Sequence, residues 1–378
     1  MNRLTTSWGA HDLTRHPVDP RDQLRAWDAS DEYLLEHLAD LPLEGRRIVV
    51  LGDRWGALTT SLAAFAPVQI ADSWLSRQAT RENLDRAGAT AGELLTTQDA
   101  PPDRIDVLLV RVPKSLALLE DQLHRLAPAL HAGSVVIGTG MVKEIHTSTL
   151  QLFERIIGPT KTSLAKKKAR LIFTTPDPAV AGAGEANPWP YRYQLPAGIG
   201  PMSGRTVTNH AGIFCADRLD IGTRFLLGHL PSTSGAARIV DLGCGNGVVG
   251  TSAALADPDA ELVFTDESYQ AVASAEATYR ENASGKAEFL VGDGLAVLPA
   301  DSVDLVLNNP PFHSHQAVTD STARRMFADA RRALRQGGEL WVVGNRHLGH
   351  HVSLQRIFGN CRTVAGNPKF VVLRAVKR

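Results

Sequence analysis

The sequence predicts an α/β protein of two tandem Rossmann-like domains, the N-terminal one a degenerate duplicate of the other. Three observations carry this expectation. The chain has 378 residues, enough for two domains that each bury a core. In the second half, a short apolar strand, 237–241, runs into a glycine turn and then an apolar, helix-like stretch, the local pattern of a doubly wound parallel sheet. Segments of the first half also recur in the second in the same order, which implies a duplicated fold with an offset of about two hundred residues.

The glycine turn comes first. Asp241 ends the strand, and Gly243, Gly245 and Gly247 follow at alternate positions around Cys244. Glycines at a strand-to-helix turn allow positive φ and let a ligand approach the backbone. An acid placed directly before the turn would repel a pyrophosphate but attract the ammonium of a methionine moiety. The next strand, 260–265, ends at Asp266 and Glu267, where an acid is positioned to accept ribose hydroxyls. Asp293 closes a further short strand near the expected adenine. A flexible loop is the plain alternative for a glycine run, but the two acids and the strand–turn–helix context favour a nucleoside cofactor.

Asn309-Pro310-Pro311-Phe312 begins just past the apolar run 303–308. Ligands of open parallel sheets bind beyond the carboxyl ends of the strands. The exocyclic amine of a base is a poor nucleophile, because its lone pair is delocalised into the ring. The Asn309 side-chain oxygen and the Pro310 carbonyl could each accept one N–H, favour a pyramidal nitrogen and aim its lone pair. Pro310 and Pro311 stiffen the backbone, and Phe312 offers a stacking face for a flipped base. Alone, Asn-Pro reads as a tight turn. With the glycine turn upstream, the pair implies methyl transfer from S-adenosylmethionine to a planar nitrogen. His313 and His315 invite a metal reading, but no cysteine or acid cluster lies at ligand spacing, and no metal is expected.

Residues 209–378 resemble the guanine-N2 ribosomal RNA methyltransferases of the RsmC/RlmG type. The likeness rests on 219–225, 239–248, Asp266-Glu267-Ser268 and 309–313, and on Asn345-Arg346-His347-Leu348, 357–361 and 369–373. Asn-Pro-Pro-aromatic is shared with DNA adenine and protein glutamine methyltransferases, so it does not choose the substrate. The segment 345–348 and the tail point to the large-subunit branch. Asn308 departs from the small or sulfur-bearing residue expected there. The resemblance implies two class I methyltransferase domains, S-adenosylmethionine as cofactor and a guanine of 23S rRNA as substrate. A guanine of 16S rRNA, a protein glutamine, or a non-catalytic RNA-binding role in ribosome assembly are the alternatives.

The first half is read against the second. Residues 46–56 echo 237–247, 70–72 echo 264–266, 102–110 echo 300–307 and 157–162 echo 358–363. Val50 stands for Asp241, Arg54-Trp55 for Gly245 and its neighbour, and Arg111-Val112-Pro113-Lys114 for the Asn-Pro-Pro-Phe motif. The N-terminal domain is therefore expected to be catalytically dead. Arg111 and Lys114, with Lys161, Lys166, Lys167, Lys168 and Arg170, offer phosphate contacts that would hold rRNA without reading bases. The expected division is 1–175 for the degenerate domain, 176–204 for a Pro- and Gly-rich linker holding Trp189, and 205–378 for the catalytic domain. Phe214 is open to two readings, a contact to cofactor or base and a core position. Arg324, Arg325, Arg331, Arg332 and Arg335 are expected on a solvated helix face.

Lysine plus arginine and aspartate plus glutamate both number 40, so RNA binding must come from local patches. The three cysteines, Cys215, Cys244 and Cys361, lack disulfide or metal spacing, which points to a reducing cytoplasm. No apolar run approaches membrane-spanning length, and a monomer is expected.

Overall fold

Each half of the chain folds about its own seven-stranded mixed sheet. The computed structural model describes residues 3–18, 23–182, 186–232, 237–311 and 316–378. Two compact units result, Met1–Trp189 and Pro190–Arg378.

The first unit opens with a hairpin, β1 (Arg3–Thr6) and β2 (Gly9–Asp12), followed by helix α1 (Ala29–Leu38). Its sheet contains β3 (Ile48–Leu51), β4 (Val68–Ala71), β5 (Leu94–Thr96), β6 (Ile105–Arg111), β7 (Leu130–Met141), β8 (Thr160–Thr162) and β9 (Ala169–Thr174). Helices α2 (Ala57–Ser61), α3 (Trp74–Ala87), α4 (Leu116–Leu126) and α5 (Thr147–Ile156) connect them, and α6 (Pro178–Gly182) follows. The second unit opens with the pair β10 (Tyr191–Gln194) and β11 (Thr206–Asn209) and helix α7 (Ile221–Leu227). Its sheet contains β12 (Arg238–Leu242), β13 (Glu261–Asp266), β14 (Ala287–Val291), β15 (Val303–Asn308), β16 (Leu334–Asn345), β17 (Arg362–Gly366) and β18 (Phe370–Val376). Helices α8 (Val248–Ala256), α9 (Tyr269–Asn282), α10 (Gln316–Ala333) and α11 (His350–Phe358) connect those.

The two sheets share one topology. Their strand orders are β5-β4-β3-β6-β7-β9-β8 and β14-β13-β12-β15-β16-β18-β17. In each, the pairs among the first five strands are parallel and the last two pairs antiparallel. The central strands are buried at every residue of 48–51 and 239–242, as parallel strands covered by helices on both sides must be. Two apolar clusters sandwich each sheet: one side of the second contains Ile239, Phe264 and Leu307, the other Val240, Val306 and Phe327. Full burial of one such side chain contributes about 1.5–3 kcal/mol.

Strand order reverses between β3 and β6, and again between β12 and β15. The crevice beyond the strand ends at such a reversal is where open α/β sheets take ligands. The turn after β12 and the segment after β15 therefore meet at one place. Residues 176–204, read as a linker, divide between the units. Trp189 Nε1 donates to Glu120 Oε2 at 3.1 Å in the first, while Tyr191 and Tyr193 lie on β10 in the second and stack at 6.3 Å.

Candidate active site

The site is built on the β12 turn. Gly243, Gly245 and Gly247 all hold positive φ, at 70°, 52° and 75°, which their lack of Cβ allows. Their reasons differ. A Cβ on Gly247 would stand 2.7 Å from Ala275 Cα, so this glycine lets α8 pack against α9. A Cβ on Gly245 would meet nothing within 4 Å. On that side the residue faces open space.

Asp241, read in the sequence as a partner for an ammonium group, does not lie at the surface. It is 2% exposed, and its Oδ2 accepts the Gly250 N–H at 2.8 Å, so this acid near the end of β12 holds the first turn of α8. Burial, with the charge of Asp266 nearby, pushes its carboxyl up to about 7. Cys244 likewise turns into the core, where burial raises its thiol well above the ordinary range. Only backbone of the 243–245 turn is thus presented outward.

Asp266 sits at the tip of β13 as expected. Its Oδ2 accepts Gly245 N–H at 3.1 Å and its Oδ1 accepts Ser268 N–H at 3.1 Å, tying the glycine turn to the second strand. Glu267 beside it is exposed. Asp293 follows β14 and pairs with Arg325 of α10 at 3.1 Å.

Asn309 follows the last residue of β15 and is half-buried. Its Nδ2 donates to Thr223 Oγ1 at 2.8 Å and to Asp220 Oδ2 at 3.4 Å. A carboxylate only accepts, so this contact fixes which end of the amide faces it. The opposite end, Asn309 Oδ1, is buried and has no hydrogen-bond partner among the described residues. A buried acceptor left unpaired costs about 1–3 kcal/mol, which is the expected state of a group reserved for a substrate donor. Pro310 is buried and Pro311 exposed. Phe312, His313 and His315 lie outside the described residues. Asn308, the departure noted in the sequence, is fully buried and donates from Nδ2 to the Leu242 carbonyl at 2.7 Å. It staples β15 to the residue that precedes the glycine turn.

The whole chain has close relatives. Ribosomal RNA large subunit methyltransferase G of Streptomyces avermitilis is 72% identical over 99% of this chain and 99% of its own length. The enzyme of that name from Streptomyces coelicolor is 71% identical over 99% of this chain and all of its own. That from Stutzerimonas stutzeri is 46% identical, with full coverage of both. The chain belongs to the ribosomal RNA large subunit methyltransferase G family. Residues 1–178 match the RLMG N-terminal domain and 204–374 the methyltransferase small domain. A solved structure of a T. thermophilus 16S rRNA N2 methyltransferase, RsmC, in complex with AdoMet and guanosine shares the fold. Its TM-score is 0.73 at 21% identity, over all of this chain and 97% of that one.

Motif reasoning gave neither Asp220 nor Thr223 a role, yet both contact the Asn309 amide. Asp220 N-caps α7, accepting Thr223 N–H at 2.8 Å, and the same two side chains aim Asn309. The legible signal was an acid followed three residues later by threonine, a helix-start pattern, within the quoted segment 219–225.

Other expectations shift. Arg111 is no phosphate contact: it is 1% exposed and ion-paired with Asp28 at 2.7 Å and Glu144 at 3.2 Å. Lys166 pairs with Glu36, and Lys167 with Glu32 at 3.2 Å. Lys114, Lys161 and Lys168 are exposed and have no ion pair among the described residues. Arg170 is half-buried on β9. Of the arginines read as a solvated face, three are anchored: Arg325 to Asp293, Arg332 to the Leu295 and Leu298 carbonyls, and Arg335 to Asp304. Phe214 is 56% exposed, which removes its core reading.

Proposed function

We propose that this chain methylates the exocyclic N2 of one guanine in 23S rRNA, with S-adenosylmethionine as donor. The observation that carries the reading is the buried Oδ1 of Asn309, which has no hydrogen-bond partner among the described residues and is held beside an open glycine turn at the sheet's topological switch point. The open space at Gly245 and the acid at the tip of β13 suit the nucleoside cofactor, with Gly243–Gly245 backbone and Asp266 as its holders and Asp293 near the adenine. When bound, S-adenosylmethionine supplies a methyl group activated by its sulfonium.

The chain's own residues prepare the acceptor. Asn309 Oδ1 takes one N–H of the guanine amine and the Pro310 carbonyl takes the other, which localises the nitrogen lone pair. Asp220 and Thr223 prevent Asn309 from rotating away, so the acceptor is preorganised. Pro310 and Pro311 keep the backbone fixed, and Phe312 supplies the stacking face. No strong base is needed, because the alkylated ammonium gives its extra proton to water.

The first unit is read as an RNA platform. Lys114, Lys161 and Lys168 are exposed cations with no ion pair among the described residues, and reversing all three to glutamate should lower the salt slope of rRNA binding by about one per lysine. An unchanged slope would place the RNA elsewhere. The large-subunit assignment follows the name of the relatives; the 16S rRNA of the RsmC neighbour is the competing substrate. The deciding experiment transfers labelled methyl to protein-free 23S rRNA, 16S rRNA and intact 30S subunits in parallel, followed by nucleoside analysis. N2-methylguanosine from 23S rRNA alone supports the reading. Label only in small-subunit RNA keeps the chemistry and replaces the substrate.

A further inference from the structure

The first unit shows what shape of group the second unit's pocket accepts. Sheet register makes the two sites equivalent: Leu51 pairs with Val110 as Leu242 pairs with Asn308, so Arg111 stands where Asn309 stands. Helix α1 packs on β7 and β9 as α7 packs on β16 and β18, and their N-caps are Asp28 and Asp220. The third helical residues, Asp31 and Thr223, also correspond.

In the first unit the Arg111 guanidinium fills the space between these elements. Its Nη2 meets Asp28 Oδ2 at 2.7 Å, its Nη1 meets Glu144 Oε2 at 3.2 Å and its Nε lies 3.4 Å from Asp31 Oδ1. In the second unit the shorter Asn309, among the described residues, reaches only Asp220 Oδ2 and Thr223 Oγ1. Asp220 Oδ1 accepts no hydrogen bond among the described residues. A planar N–C–N donor is thus built into one copy, and the matching carboxylate of the other copy has an oxygen to spare. Guanine presents such a donor in its N1–H and N2 amine, and adenine does not.

We propose that Asp220 selects guanine: its Oδ1 accepts the N1–H of the target base while Asn309 Oδ1 accepts from the N2 amine. This rests on the methyl-transfer reading above. A base with a bare N1 would set a lone pair against the carboxylate, and sites that lose a buried hydrogen bond in this way discriminate strongly.

The test uses the full-length protein and an rRNA fragment carrying either guanosine or 2-aminopurine riboside at the methylated position. The latter keeps the amine and lacks N1–H. Wild type should prefer guanosine by about 10²-fold or more in kcat/KM. Asp220→Asn retains an N-cap side chain and can offer N–H to a bare N1, so its preference should narrow to within about tenfold. S-adenosylmethionine binding, followed by calorimetry, should be unchanged. Equal use of both bases by wild type overturns the proposal without reference to any variant. A variant that loses rate equally on both overturns it too, leaving Asp220 only the positioning of Asn309. If wild type methylates no guanine in any rRNA, the methyl-transfer reading itself fails and takes this one with it.

Discussion

The two units carry the same sheet and part at two points, the turn after the first central strand and the end of the strand beside it. Of the three turn glycines, the first unit retains the counterparts of two: Gly52 (φ 75°) for Gly243 and Gly56 (φ 78°) for Gly247. A Cβ on Gly56 would stand 2.5 Å from Thr80 Cα, the same close helix approach that fixes Gly247. Only the middle glycine is lost, replaced by Arg54, which has left the positive-φ region and pairs with Asp28 and Glu144. Glycines needed for packing survived the decay, and the one facing open space did not. The helix-holding acid also moved. Val50 replaces Asp241, and Asp53, one residue past Gly52, accepts the Gly56 and Thr59 N–H groups instead. At the strand end, where Asn309 Oδ1 has no partner among the described residues, the first unit has an ion cluster of two guanidiniums, Arg54 and Arg111, and three carboxyl groups, Asp28, Asp31 and Glu144. A binding site converts to a structural one by filling its void with charges that satisfy each other.

Transplanting that decay tests the comparison most severely. Gly245→Arg should abolish S-adenosylmethionine binding in calorimetry and with it all methyl transfer, because it fills the open space and puts an L-residue at φ 52°. Wild-type affinity in this variant would mean that the middle glycine is not the ligand-facing one. Next in size, Asn309→Ala should lower methyl transfer by about 10²–10³ while cofactor binding is retained; near-normal turnover rejects the amine-orienting role.

In the first unit, Arg111→Met leaves Asp31 without its cation and Arg54 alone to balance Asp28 and Glu144, and should destabilise it by about 3–5 kcal/mol. Five of the six tryptophans lie in this unit, Trp341 being the exception, so urea unfolding followed by fluorescence reports on it. A transition at the wild-type midpoint would show that the cluster contributes little.

The smallest effect is one of slope. Burial raises the Asp241 carboxyl to about 7, so the folded protein holds a proton there that the unfolded chain has released above about pH 4. The stability linked to that proton is fully present below about pH 4 and is lost as pH rises through about 7. Asp241→Asn should therefore gain on wild type in melting temperature between pH 5 and pH 8. A difference independent of pH would mean that Asp241 is charged throughout.

Much of this was legible before any coordinates. The glycine turn, the Asn-Pro-Pro-Phe segment and the order of echoes are local patterns, and local patterns survive in one dimension. What stayed hidden was direction. Asp241 looked like a ligand because acids before glycine turns are common ligands, yet alternation along β12 points it under the turn. Arg111 looked like a surface cation because arginine usually is one, yet it ends a buried strand opposite two acids of α1 more than seventy residues away in sequence. The arginines read as one solvated helix face did not look anchored because their partners, Asp293, Asp304 and the carbonyls of 295 and 298, come from other segments, and Arg335 itself lies on β16 rather than on the helix.

The sequence by itself determined the duplicated α/β architecture, the glycine turn after the central strand and the Asn-Pro-Pro segment at the end of its neighbour, since each depends on residue types at short fixed spacing. Tertiary structure alone decided which oxygen of Asn309 is available, which acid holds a helix and which faces the pocket, and that the first unit's counterpart site is closed. Those outcomes depend on which distant groups share a buried volume, and the charge and hydrogen-bond balance of that volume is settled only when the strands are side by side.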